Sequence, residues 1–541
     1  MSGTYKVPTP INEPVLSYKL GSPERDALKK RVAEMTAERI DIPLWIGGRE
    51  VRTGETGTQV MPHRHEHVLA TWHKAGQKEV EQAIKVAAEA RREWASSSFE
   101  HRASVFLKAA ELVSTTWRPT LNGATMLCQS KTAFQAEIDS ACEVIDFYRF
   151  NVHFAEKLYN DQPLSVPGFW NRVDYRPLEG FVYAVTPFNF TAIATNLPMS
   201  AALMGNTVVW KPASTTVFTG HYIVRLLEAA GLPPGVINFV PGNAAAVSAV
   251  ALNHADLAGI HFTGSTEVFQ TMWKTVGTNI ARYRSYPRLV GETGGKDFIV
   301  AHASADPEAL VTAIIRGGFE YQGQKCSAAS RVYVPETLWK KIKDPLIESI
   351  QGISMGDVAD FRNFMGAVID RASFRKLVSY LEDAAASKDA EILVGGQHDD
   401  TEGYFIRPTL IQAKRPDYRT MCEELFGPVV TVYVYADKDW KATLELVDQT
   451  SPYGLTGSVF AADRLAIADA NKALRYSAGN FYINDKPTGA LVGQQPFGGS
   501  RSSGTNDKAG SMMNLLRWVS ARTIKETFAP PHDYRYPFMA E

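Results

Sequence analysis

Gly180-Phe181-Val182-Tyr183-Ala184-Val185-Thr186-Pro187-Phe188-Asn189-Phe190 is the stretch from which the fold is read. Its first half is a short apolar, β-branched run of the length of a buried strand, and Pro187 ends it. Similar runs recur at Thr207 to Trp210, Val236 to Val240 and Gly259 to Thr263, each separated from the next by a helix-sized segment. Buried runs alternating with helices predict an α/β fold with a parallel sheet and helical crossovers. Ligands of such sheets bind beyond the carboxyl ends of the strands. Those ends are 186–190, 211–214, 241–243 and 264–266.

Working towards the N-terminus, 158–178 breaks the pattern with Pro163, Pro167, Gly168 and Trp170 and reads as a hairpin leaving the body of the domain. Residues 77–156 carry a helical pattern of Ala-rich, charged segments, expected to be surface helices with one face inward. Leu44 to Val51 and Thr58 to Thr71 read as strands, with a turn at Gly47-Gly48. Residues 1–40 form an arm ending in a charged helical segment around Glu24 to Arg39. On the other side, a second α/β region spans about 297 to 480, before a tail rich in Tyr and Pro.

With 541 residues, the chain exceeds what one core supports, so at least two domains are expected. Lys+Arg and Asp+Glu number 57 and 58, which gives no support to nucleic-acid binding or a polybasic membrane anchor. Cys128, Cys142, Cys326 and Cys422 are scattered, with no Cys-x-x-Cys pair, so neither a disulfide framework nor a zinc site is expected and a reducing compartment fits. There is no run of about 18 apolar residues to span a membrane. The first residues lack a secretory apolar core and do not resemble a transit peptide.

Four motifs carry chemistry. Cys326, in Gly323-Gln324-Lys325-Cys326-Ser327, has a polar, glycine-containing approach that suits a nucleophilic thiolate; the other three cysteines read as buried structural residues. Glu292, in Gly291-Glu292-Thr293-Gly294-Gly295-Lys296, follows a strand-like Arg288 to Val290, where a carboxylate among glycines suits a general base. An isolated loop glutamate is nonetheless usually just solvated. Asn189 could donate to an oxyanion or equally cap the next helix. Phe262-Thr263-Gly264-Ser265-Thr266 runs from a strand into a helix start, where backbone N–H groups suit a diphosphate, although the motif is weak alone and G-x-G-x-x-G is absent. The alternating His63, His65 and His67 read as a solvated strand or loop rather than metal ligands, so no metal is expected.

Taken in order, Pro-Phe-Asn-Phe, Trp210-Lys211-Pro212, Phe262 to Thr266, Glu292 to Lys296, Cys326 and Glu423-Glu424-Leu425-Phe426-Gly427-Pro428 resemble the aldehyde dehydrogenase superfamily over about residues 40 to 525. Within it, the chain is most similar to the branch that oxidises glutamate γ-semialdehyde. The blocks behind this are Glu13 to Leu16, Gly21 to Leu28, Gln135 to Asp139, and above all Asn484 to Lys486, Gly493 to Gly499 and Gly504 to Lys508. The N-terminal blocks resemble the mitochondrial animal and fungal type.

The resemblance implies an atypical Rossmann NAD-binding domain (41–157 and 179–291), a catalytic domain (292–480), a substrate-anchor return (481–509) and oligomerisation segments (158–178 and 510–541). Cys326 would attack the aldehyde, Asn189 and the Cys326 N–H would meet the oxyanion, and Glu292 would activate the hydrolytic water. NAD would lie on Thr186, Lys211, Gly264, Ser265, Thr266, Glu267, Val268, Glu424 and Phe426. Phe190 and Phe497 would sandwich the substrate chain, with Ser327, Gly489 and Ala490 at its α-carboxylate. Two positions depart from the family pattern. Ala490 stands where a serine is expected, and Ser214 where many NAD-preferring relatives carry glutamate, which implies some NADP tolerance. The resemblance also implies a homodimer or larger homo-oligomer, the mitochondrial matrix, a role in proline catabolism and contact with a proline dehydrogenase. The competing readings are a dehydrogenase of another short carboxylated aldehyde such as succinate semialdehyde, a non-catalytic structural relative, and a cysteine hydrolase. The last is disfavoured because no histidine motif partners Cys326.

Overall fold

The computed structural model describes residues 5–539. Two seven-stranded sheets organise it. In the first, the strands Arg288–Glu292, Leu257–Thr263, Phe181–Val185, Thr207–Lys211 and Ile237–Phe239 lie side by side in parallel, and the hairpin Leu44–Ile46/Arg49–Val51 adds an antiparallel edge. Phe181 to Ala184 and Thr207 to Lys211 are all buried, as expected for strands covered on both faces. Gly47 and Gly48 hold the hairpin turn with φ of 63° and 72°, a region glycine reaches at little cost.

The second sheet is built from Ala390–Val394, Thr409–Ala413, Val429–Tyr435, Ala329–Pro335, Asp297–Ala301, Thr456–Phe460 and Asn480–Ile483, in that order across the sheet. All its pairings are parallel except the first.

Three local expectations change. Thr58 to Thr71 is not one strand: Thr56–Met61 and Arg64–His73 pair antiparallel across a turn at Pro62-His63. Not all of the helices in 77–156 lie on the surface. Arg118–Gln129 is buried almost all round, roofed by Pro23–Ala37 on one side and Val217–Ala230 on another. Segment 158–178 does not form a hairpin with itself; Phe169–Pro177 pairs antiparallel with Val519–Thr527. The proline- and glycine-rich break was legible, but the partner lies some 350 residues away, beyond any local signal. Among the described residues no helix is long and apolar enough to cross a membrane.

Candidate active site

Cys326 sits just after a strained loop. The helix Pro307–Phe319 ends, and Tyr321, Gln322 and Gly323 follow with φ of 53°, 55° and 64°. Two non-glycine residues in the left-handed region persist only where their surroundings over-determine them. Here Gln322 Nε2 donates to the carbonyls of Ser130 and Ala367 at 3.0 and 2.8 Å, while its Oε1 accepts Gly366 N–H at 2.9 Å. Gln324 Oε1 accepts Ile369 N–H at 2.9 Å. Beneath the loop, a Cβ on Gly295 would fall 2.1 Å from the Cys326 carbonyl oxygen, and one on Gly294 would fall 2.4 Å from Glu424 Oε2. The two glycines thus let the strand end that follows Glu292 pass directly under the cysteine.

Burial, and then the carboxylates of Asp297, Glu424 and Glu292, push the Cys326 thiol well above its ordinary pKa. Glu292 ends the strand Arg288–Glu292, and its carboxyl is likewise held well above the usual range by burial. The Gly499 N–H, which donates to Glu292 Oε2 at 3.1 Å, and the charge of Lys508 pull the other way, while Asp507 adds to the rise. Asn189 is buried, and its Nδ2 donates to the Gln324 carbonyl at 3.2 Å, so the amide lies against the cysteine loop.

A cavity of about 740 Å³ has Cys326 and Glu292 in its wall, within the range of small-molecule sites. Phe190, Phe497, Ser327, Gly489 and Ala490 line it too. Ser327 Oγ lies 2.8 Å from Thr488 Oγ1, which joins the cysteine loop to the Gly489-Ala490 turn. Phe190 is held from behind by the buried Lys131, whose Nζ lies 4.2 Å from its ring centroid and donates to Asp139 Oδ2 at 2.6 Å. Asp139 in turn caps the helix Thr191–Leu203, accepting the N–H groups of Thr191 and Ala192.

Glu143, Thr488 and Lys131 were not singled out from the sequence, and Asp139 entered only as the end of the block Gln135 to Asp139. Glu143 ends a π-helical turn, Glu137–Glu143, that breaks the 3.6-residue spacing, so periodicity could not place it. Its carboxyl, in the cavity wall, is pushed up to about 8 by burial and by Asp139. Thr488 carried one signal, a hydroxyl immediately before the Gly489-Ala490 turn.

The remaining candidates gather elsewhere. Thr186, Lys211 and Gly264 to Val268 lie at the carboxyl ends of three adjacent strands of the first sheet. Thr186 Oγ1 accepts from Trp210 Nε1 at 2.9 Å, and Lys211 is buried, with its pKa lowered by burial to about 8. Ser265 caps the helix Thr266–Thr278 by accepting the Val268 N–H, and Glu267 and Val268 are exposed. A lysine at the same end of the sheet as the N-terminus of a 13-residue helix, one strand lying between them, suits the ribose and diphosphate of a dinucleotide. Glu424 Oε1 accepts Gly295 N–H at 2.8 Å, and the Phe426 ring packs 5.6 Å from Phe188. Thr186, Lys211 and Glu424 do not line the cavity that holds Phe190 and Phe497.

The three alternating histidines have separate partners. His63, expected to be solvated, is buried with Nδ1 3.2 Å from Ser130 Oγ; His65 and His67 bond separately to the carbonyls of Asp400 and Thr36. Among the described residues no cluster of potential ligands could hold a metal ion. Cys128 and Cys142 are buried, and Cys422 is half-buried.

The family model of the aldehyde dehydrogenase family matches residues 50–524. The chain belongs to the aldehyde dehydrogenase family. It is 52% identical over 538 residues to a mitochondrial Δ1-pyrroline-5-carboxylate dehydrogenase of Dictyostelium discoideum, covering 99% of this chain and 96% of that one. The human mitochondrial protein of the same name is 48% identical over 529 residues, covering 98% and 94%. Among solved structures, the Δ1-pyrroline-5-carboxylate dehydrogenase of Mycobacterium tuberculosis bound with NAD superposes with a TM-score of 0.97 at 53% identity, covering all of both chains. The aldehyde dehydrogenase fold accounts for the two sheets.

Proposed function

We propose that the protein oxidises glutamate γ-semialdehyde, the open form of Δ1-pyrroline-5-carboxylate, to glutamate with NAD as hydride acceptor, as a step of proline catabolism. The observation that carries this is one cavity with Cys326, Glu292, Phe190, Phe497, Ser327 and Thr488 all in its wall. Relatives of that name, close to half identical along the whole chain, support the substrate, and the NAD-bound mycobacterial structure supports the cofactor.

Cys326 Sγ gives up its proton to solvent and adds to the aldehyde carbon, and the oxyanion is met by Asn189 Nδ2 and the Cys326 N–H. When bound, NAD supplies the hydride acceptor that leaves a thioester on Cys326. Glu292 then takes a proton from water, whose oxygen attacks the thioester carbon. The C–S bond breaks, releasing the carboxylate and restoring the thiol. Phe190 and Phe497 exclude solvent along the aliphatic chain. Ser327, Thr488 and the Gly489-Ala490 turn receive the α-carboxylate, and Glu143, ionising as the substrate enters, receives the α-ammonium. The relatives named mitochondrial support a location in the mitochondrial matrix, and the half-exposed ribbon of Phe169–Pro177 and Val519–Thr527 supports a homo-oligomer.

The test is NADH formation with Δ1-pyrroline-5-carboxylate, the wild type beside Cys326→Ala. Formation that depends on Cys326, at higher kcat/KM than with succinate semialdehyde, is expected. A preference for succinate semialdehyde would overturn the substrate, and NADH formation by Cys326→Ala would overturn the nucleophile.

A further inference from the structure

The hydrogen bonds at Glu292 continue past it. One peptide unit, joining Gly498 to Gly499, is engaged at both ends. Its N–H donates to Glu292 Oε2 at 3.1 Å, and its C=O accepts from Lys508 Nζ at 3.0 Å. Carboxylate, peptide and ammonium therefore form one chain, in which the cation polarises the amide and strengthens its N–H as a donor. The other two protons of Lys508 go to the Gly479 carbonyl at 2.8 Å and towards Asn480 Oδ1 at 3.4 Å. All three acceptors are neutral, and Asn480 Oδ1 also takes the Gly498 N–H at 3.2 Å.

The segment bearing Lys508 is stitched to the strand bearing Glu292. Thr505 N–H donates to the Gly291 carbonyl at 2.9 Å, Gly291 N–H to Thr505 Oγ1 at 3.0 Å, and Thr293 N–H to the Ser503 carbonyl at 2.9 Å. Phe497 and Ala509 exchange N–H bonds at 3.0 and 2.7 Å. Asn506 and Lys508 are held at φ of 56° and 53°, a strained backbone that these bonds over-determine. The loop spends strain to place an ammonium behind a glycine peptide whose front touches the carboxylate.

We infer that Lys508 is a positioning residue for the general base, acting through the Gly498–Gly499 peptide to orient the Glu292 carboxylate and favour its ionised form without touching the substrate. This rests on the reading of Glu292 as the group that activates water. The charged and titratable groups facing Glu292 are Lys508 and Asp507 from this loop, Asp507 being paired with Arg517 Nε at 3.4 Å, and the Cys326 thiol across the cavity. Lys508 opposes the burial that keeps the carboxyl protonated, and Asp507 reinforces it.

The test compares Lys508→Gln, which keeps a donor but loses the charge, with Lys508→Arg, Glu292→Gln and wild type in the full chain with NAD and the semialdehyde. Single-turnover NADH formation reports acylation, and steady-state turnover against pH reports thioester hydrolysis. For Lys508→Gln, unchanged single-turnover formation is expected, with the acid limb of kcat moved up by about one pH unit and turnover below that limb reduced about tenfold. Lys508→Arg restores the limb. An unmoved limb in folded Lys508→Gln, or single-turnover and steady-state rates falling together, would overturn the inference. If Lys508→Gln does not fold, Lys508→Arg against Asp507→Asn decides: Asp507→Asn moves the limb down while Lys508→Arg keeps it, and an unmoved limb in Asp507→Asn overturns the inference. Glu292→Gln separates the two layers. If it turns over like wild type, the base itself is misassigned; if it gives one turnover and stops while the Lys508→Gln limb stays put, only the role of Lys508 fails.

Discussion

At Glu292 the chemistry and its cost share one carboxyl. Burial raises its pKa, which makes it a stronger base but leaves it protonated up to a higher pH. Because the working form is deprotonated, kcat is expected to rise with pH along a limb lying above the ordinary carboxylate range; a limb at the pKa of an exposed glutamate would contradict this. At the substrate's far end, Ala490 lacks the hydroxyl expected at that position, so Ala490→Ser should lower KM for the semialdehyde by about tenfold with kcat unchanged, the value of one charge-assisted hydrogen bond. An unchanged KM would show that Ser327 and Thr488 already suffice. Ser214, exposed just after Lys211, offers no negative charge to repel a 2′-phosphate. Ser214→Glu should therefore cut kcat/KM for NADP more than for NAD, by about tenfold in the ratio. Glu292 could be picked out because its motif sets a carboxyl among glycines at a strand end, whereas Ala490 and Ser214 stood out only against the family pattern. Glu143 went unnoticed and Lys508 was only the end of a matching block, since the roles given to them come from through-space neighbours rather than from sequence spacing.

Among elements, the parallel strands of the first sheet were legible from their uninterrupted apolar runs, and the helix start at Thr266 from its Ser265 cap. Arg118–Gln129 departs from the surface-helix expectation for 77–156, although its Asn122, Thr125 and Gln129 are polar. In the structure they bond to Glu137, Tyr18 and Thr191 inside the protein. The same layer holds Lys131 and Asp139, a pair of which one member also caps the helix behind Phe190. Asp139→Asn removes the counter-charge of a buried ammonium, which costs about 3–5 kcal/mol. A large fall in melting temperature is expected, along with a rise in KM as Phe190 loses its support. A melting temperature within a degree or so of wild type would contradict the role given to the pair.

Over the whole molecule, the ribbon of Phe169–Pro177 with Val519–Thr527 ties a mid-chain segment to the C-terminal region while remaining half-exposed, with Leu164, Trp170 and Phe528 exposed around it. Exposed apolar residues on such a projection are expected to be covered by another copy of the chain. Leu164→Glu with Phe528→Glu should lower the mass seen by light scattering, and an unchanged mass would place the contact elsewhere. Sequence could mark the proline- and glycine-rich break at 158–178 but not what it pairs with, because register between segments so far apart leaves no local trace. The central claim is that Cys326 carries the substrate as a thioester which Glu292 hydrolyses, and intact-mass spectrometry of Glu292→Gln mixed with NAD and Δ1-pyrroline-5-carboxylate tests it most directly. The account requires one acyl adduct per chain, located on Cys326, with one equivalent of NADH formed. NADH accumulating with no adduct, or an adduct on another residue, would contradict it.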